Sequence, residues 1–261
     1  MKFVFTNACL ANAGRSRIGE AVQKYALDEE IEKGRYLPVE IDSGGINIPQ
    51  LLSGTVGWQT YGKQFLAGVR YKVEGSDSEL VKTLADKFQK LGADEFAAYM
   101  ENEATEEMRD QARDMFMTIR PQTHRKIADQ GNQALIDAGI PENYIPGFNQ
   151  PLRIENYIDV ILMADGEDRK KVNKLYNNID EGQLTFVKIL KPIAEEYRVE
   201  TIGTRSVIVP KITTFLDFIG IGGDIKDDPA GGIEKARQTV SAYMDNRHRF
   251  IAALEDYVNS H

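Results

Sequence analysis

Near its N-terminus the chain reads MKFVFTNACLANAGRSRIGEAV, and two residues there are spaced for chemistry: Cys9, the only cysteine among 261 residues, and Arg15, six positions on. Small residues, Ala11, Ala13 and Gly14, fill most of the interval, and Ser16 follows it. A thiolate is a strong nucleophile, and a guanidinium offers a planar fork that grips two oxygens of an oxyanion. Small residues let the backbone curl closely around such an anion, and the amides and positive dipole end of a following helix favour it further. A cysteine in that field is favoured as thiolate, so a phosphate ester held by the loop would present its phosphorus to a ready nucleophile. The competing reading is that Cys9 is one more small buried hydrophobe, as free cysteine commonly is. The neighbouring elements decide between the two.

KFVFTN (2–7) is a short β-type run, and after the loop Ile18, Ala21, Val22, Tyr25 and Ala26 recur at helical spacing. LPVEIDS (37–43) alternates like a strand and stops at Gly44-Gly45, which completes a βαβ unit and argues for a parallel sheet. Ile127, Ala128, Ala134, Leu135 and Ala138 mark a helix ending at Gly139, YIDVILMA (157–164) reads as a buried strand, and SVIVPKI (206–212) as a fourth. Between them GEDRKKVNKLY and TFVKILKPIAEEY are helix-like, the second broken near Pro192. A last long helix carries Ile233, Ala236, Val240, Tyr243, Phe250, Ile251, Leu254 and Val258 on one face. Residues 47–118 break the alternation with a Gly- and aromatic-containing start and an acidic, helix-favouring continuation. They are expected to be a largely helical insertion into one α/β domain spanning 1–261.

Composition limits what such a loop could serve. With 42% hydrophobic and 28% charged residues the chain can build a sizeable core. No run approaches the 18 or so apolar residues of a membrane span, and no signal-peptide pattern precedes the first strand, so a cytoplasmic protein without a membrane partner is expected. One cysteine excludes an internal disulfide and a cysteine-based zinc site, and His124, His248 and His261 are scattered, so neither metal nor other cofactor is expected. A net charge of −8 argues against a nucleic-acid partner, whose affinity would rest on basic contacts to phosphates. An anion must therefore bind locally.

Cys9-x5-Arg15-Ser16 after a first strand resembles the signature loop of the low-molecular-weight protein tyrosine phosphatases, whose fold is shared by a group of arsenate reductases. Further landmarks agree in order: Asn12 falls at the loop asparagine, RSRIGEAV resembles the family's helix start, VEIDSGGI (39–46) the end of its second strand, IDVILMADGED (158–168) its third strand, and DIKDDPAGG (224–232) the motif carrying its general acid. The likeness covers about 1–46 and 119–261, outside the insertion and part of 178–204. It implies an α/β fold with a four-stranded parallel sheet flanked by helices and the site at the carboxyl ends of the strands. It also implies a phosphomonoesterase acting through a cysteinyl-phosphate, with a phosphorylated protein or small phosphomonoester as substrate. Cys9 would be the nucleophile, Leu10, Ala11, Asn12, Ala13, Gly14 and Arg15 would bind phosphate, Asp228 would be the general acid, and Asn12, Ser16 and Ser43 would support the loop. Among Asp224, Asp227 and Asp228 only the last directly precedes proline, which biases it toward extended geometry.

Three positions depart from the family pattern. Gly14 stands where many members carry a second cysteine, Ala230 where the cleft-walling tyrosine would be, and Ala11 in place of a loop glycine. The single cysteine also excludes a thioredoxin-coupled arsenate reductase, whereas one using an external small thiol, or a phosphate- or phosphopeptide-binding module without turnover, stays open. Ser16 could instead merely cap the first helix, and Trp58 and Tyr61 could form a lid or simply pack within the insertion. That insertion could border the cleft and set substrate choice, or make an oligomer contact. His124 reads as a surface residue near a helix start.

Overall fold

The computed structural model describes residues 2–9, 11–152, 158–164, 166, 198–202, 205–209, 211–226 and 230–261. Its centre is a parallel sheet of four strands: β1 (Phe3–Cys9), β2 (Val39–Gly45), β3 (Val160–Met163) and β6 (Lys211–Thr214), in the order β2-β1-β3-β6. β1 lies inside the sheet, and six of its seven residues are buried, as expected of a strand covered on both faces. The chain leaves β1 to one side for β2 and returns to its other side for β3, which makes the end of β1 the point where the strand order reverses. Open α/β sheets place their ligands at that crevice.

The helices follow from the apolar spacing. In α1 (Arg15–Glu32) Ile18, Ala21, Val22, Ala26 and Leu27 are buried, one stripe of an 18-residue helix that stops just before Gly34, whose φ of +81° is left-handed. They join Phe5, Ile41, Leu162, Tyr243, Phe250 and Leu254 in the main core. The expected long C-terminal helix is instead two, α8 (Gly232–Met244) and α9 (Arg247–Ser260), parted at Asp245–Asn246. The bend lets Tyr243 and Phe250 both bury against Phe215, with ring centroids 4.5 and 5.9 Å away.

Residues 48–119 assemble a second apolar cluster from α2 (Ile48–Ser53), α3 (Trp58–Tyr71), α4 (Glu79–Leu91), α5 (Ala93–Asn102) and the first half of α6 (Glu106–Asp137). Tyr61 is there, stacked on Phe116 at 4.2 Å, a pair that adds roughly 0.5–1.5 kcal/mol beyond its buried area. Its hydroxyl donates to the Gly54 carbonyl at 2.6 Å, so it packs within the insertion and is no lid. Position 118 lies inside α6, whose 32 residues span roughly 48 Å and carry Phe116 and Ile119 in one cluster and Ala134 and Leu135 in the other. The helix expected over 127–138 is thus the end of a longer one that continues through Pro121.

The fourth strand also departs from expectation. Residues 205–209 (β5) pair antiparallel with β4 (Arg198–Ile202), and the parallel sheet takes 211–214 instead of 206–212. Pro210 lies between the two, and proline has no N–H to continue a ladder. α7 (Phe215–Phe218) follows β6 at once, capped by Thr214, which accepts from the Asp217 amide at 3.0 Å. The helix-like stretches expected over 166–176 and 185–197 lie outside the described residues, apart from Gly166. No helix among the described residues is long and apolar enough to cross a membrane.

Candidate active site

Cys9 is the last residue of β1, not a loop residue, and is buried. The bend over 11–14 leads into α1, whose N-cap, Gly14, offers no side chain to the helix. Asn12 takes a left-handed φ of 46°, a conformation that asparagine tolerates better than most residues. Gly45, opposite Cys9 in the ladder, lets β2 approach the turn: a Cβ there would come within 2.9 Å of the Ala11 carbonyl carbon and 2.7 Å of Ile48 Cγ1. The backbone amides of Ala11, Asn12, Ala13 and Gly14 donate no hydrogen bond among the described residues, although Asn12 and Ala13 are buried. Buried amides are almost always paired, so the unpaired amides of Asn12 and Ala13, with those of the half-buried Ala11 and Gly14 beside them, favour an anion next to the cysteine.

The supporting residues meet around this turn. Ser16 Oγ lies 3.0 Å from Cys9 Sγ, and since Gly14 is the N-cap, Ser16 does not cap the helix but faces the sulfur. Asn12 Nδ2 donates to Ser43 Oγ at 3.2 Å, and Ser43 Oγ donates in turn to Glu20 Oε2 at 2.5 Å. The carbonyl of Asn12 accepts from the Asn149 amide at 3.0 Å, which ties the turn to the segment following α6. Arg15 is buried and lines the cleft with Cys9 and Ala13, and its Nη1 donates to the Ile225 carbonyl at 3.0 Å. Leu10 and Asp228 lie outside the described residues.

Several cleft residues carry no local sequence signal. Arg17, two residues beyond Arg15 and so on another face of α1, is buried and clamps the 146–147 carbonyls and Asn132 Oδ1, a structural use of the second arginine in RSR. Burial pushes its guanidinium below the ordinary arginine value. The wall facing the turn comes from α3, with Thr60, Lys63, Gln64 and Tyr71 in the lining, and from α8, with Lys235 and Thr239. Arg70 closes that side by donating to the Ala230 carbonyl at 3.1 Å. These contacts join positions far apart in sequence, which is why spacing alone does not reveal them.

His124 is not at the surface: it sits within α6, buried, and lines the cleft. Its Nδ1 lies 3.2 Å from Asn149 Oδ1 and its Nε2 3.2 Å from Gln64 Nε2, a pattern that suits a neutral ring donating from Nδ1 and accepting at Nε2. The chain Gln64–His124–Asn149–Asn12 thus links the insertion to the turn. Burial, reinforced by the nearby Arg120 cation, pulls the imidazole down to about 4. The unfolded chain takes up a proton near pH 6.5 and the folded one only near 4, so stability rises with pH across that window and is lost on acidification. Between pH 7 and 5 this amounts to about 2 kcal/mol. The fall in urea midpoint over that range should therefore be markedly smaller in His124→Gln than in the native protein. Equal falls would contradict the assignment of a buried neutral imidazole.

No protein-family model and no curated protein sequence matches the chain. Solved structures similar to it include a YwlE mutant from Bacillus subtilis (14% identity, 97% of this chain and 99% of that chain covered, TM-score 0.46). A protein tyrosine phosphatase from Entamoeba histolytica shares 13% identity over 98% of each chain, with a TM-score of 0.45. The low-molecular-weight protein tyrosine phosphatase from T. tengcongensis shares 12% over 96% of this chain and 99% of that one, also at 0.45.

Proposed function

We propose that the protein is a metal-independent phosphomonoesterase that works through a phosphorylated Cys9. The observation that carries this reading is the turn itself: a buried cysteine sulfur 3.0 Å from a serine hydroxyl, at the end of a central strand, beside four amides with no acceptor among the described residues and a buried arginine. In the proposed reaction Arg15 and the amides of 10–15 hold the phosphoryl oxygens, where they also stabilise the charge that spreads over them in the transition state. The Cys9 thiolate forms the S–P bond as the P–O bond to the leaving group breaks, and Asp228 protonates the departing oxygen. Asp228 then takes a proton from water as that water attacks phosphorus, the S–P bond breaks, and the thiolate is regenerated. The Ser16 hydroxyl, donating to sulfur, stabilises the thiolate both before attack and on departure, while Asn12 and Ser43 hold the turn in its left-handed curl.

The test is release of inorganic phosphate from an aryl phosphate such as nitrophenyl phosphate, with a chelator present throughout. Turnover that is indifferent to chelation is the expected result. Binding of phosphate without turnover, or thiol-dependent production of arsenite from arsenate, would replace this reading with one of its rivals.

A further inference from the structure

The chain carries 40 acidic and 32 basic residues, yet the described lining of the cleft holds Arg15, Lys63, Lys226 and Lys235 and no carboxylate. The three lysines come from separate places: Lys63 from α3, Lys226 from the segment before α8, and Lys235 from the first turns of α8. None of their ammonium groups makes an ion pair or hydrogen bond among the described residues, whereas Lys24, Lys33 and Lys90 each pair with a carboxylate within one helical turn. In an acidic protein, ammonium groups brought to one cleft from three elements, with no partner among the described residues, favour the entry of an anion there.

A single phosphoryl group does not account for them. Arg15, the amides of the turn and the N-terminus of α1 already suffice to hold one phosphoryl dianion. We propose that the substrate is a phosphomonoester bearing a second anionic group, which Lys63, Lys226 and Lys235 receive while the turn holds the phosphoryl to be transferred. This rests on the reading of the Cys9 turn as the phosphoryl site. Lysine suits such a role, since it is a mobile point charge that accepts a carboxylate or a second phosphate without demanding one planar geometry.

The direct test compares two phenyl phosphates of equal shape, one with a para carboxymethyl group and the other with its uncharged carbamoylmethyl counterpart. At low salt the carboxylate should be preferred in kcat/KM by roughly tenfold or more, and the preference should shrink as salt screens the lysines. The ratio should fall toward unity in the Lys63→Gln/Lys226→Gln/Lys235→Gln variant and be retained in the corresponding arginine variant. A phosphotyrosine peptide pair with glutamate or glutamine beside the phosphoresidue separates a peptide source of the second anion from a small-molecule one. Equal kcat/KM for the two aryl phosphates, or a preference that survives removal of all three lysines, would overturn the proposal. The same pairs are also titrated calorimetrically onto Cys9→Ser protein, so that a preference in binding supports the second-anion site even where the native protein turns over neither ester and the phosphatase reading fails.

Discussion

Cys9→Ser should lose essentially all phosphate release while keeping the fold. Loss of a covalent nucleophile typically costs on the order of 10⁴–10⁶ in kcat, because no other group can form the intermediate and the second half of the reaction has no substrate. Serine at position 9 is slightly smaller, is not overpacked at the end of β1, and can exchange a hydrogen bond with Ser16, which now lies 3.0 Å from the sulfur. The thermal midpoint should therefore move little, and phosphate should still bind, since Arg15 and the turn amides are untouched. Activity near the native level in Cys9→Ser would remove the covalent mechanism altogether. Loss of activity with loss of fold would be uninformative, so circular dichroism and phosphate binding accompany the assay.

Asp228→Ala should reduce kcat by roughly 10²–10⁴-fold, the usual contribution of general acid catalysis. The loss should be largest on poor leaving groups such as alkyl phosphates and smaller on nitrophenyl phosphate, whose phenolate departs without a proton. Phosphate affinity should hardly change. Both ends of the segment that carries Asp228 are tied at the cleft: Arg15 bonds the Ile225 carbonyl at 3.0 Å and Arg70 the Ala230 carbonyl at 3.1 Å. Asp224, four residues before Asp228, accepts from the Gly166 amide at 2.8 Å. A large loss in Asp227→Ala with none in Asp228→Ala would assign the proton to the other aspartate.

The turn is the part of the site most legible in the sequence, because Cys9, Arg15 and Ser16 are brought together by covalent spacing and by the strand and helix on either side. Ser43 reaches Asn12 across 31 residues, and a reader needs the family resemblance to pair them. The cleft wall is not legible at all. Lys63, Gln64 and Tyr71 sit on a helix whose polar residues look like a solvated face, since a polar cleft and bulk water select the same side chains. His124 misleads for the same reason: RPQTHRK is strongly charged, and only the packing of α3 and the 144–152 segment against α6 turns its histidine inward. The sheet is readable strand by strand from β1 to β3: β1 and β3 are apolar runs buried on both faces, and the edge strand β2 alternates. The fourth strand departs from expectation because hydrophobicity favours SVIV before Pro210, whereas the less apolar KITT after it joins the sheet and 205–209 pairs with β4; a proline, with no N–H for the ladder, separates the two in sequence.

The most direct measurement is a rapid alkaline denaturing quench of the native protein during turnover of an aryl phosphate, followed by mass spectrometry of its peptides. A single added phosphoryl group on the peptide containing Cys9, stable to alkali but lost at mildly acidic pH or with iodine under conditions that spare phosphoserine, and absent from Cys9→Ser, is the expected result. Sustained phosphate release with no phosphorylated Cys9 peptide at any quench time, or with the phosphoryl group on another residue, would contradict it.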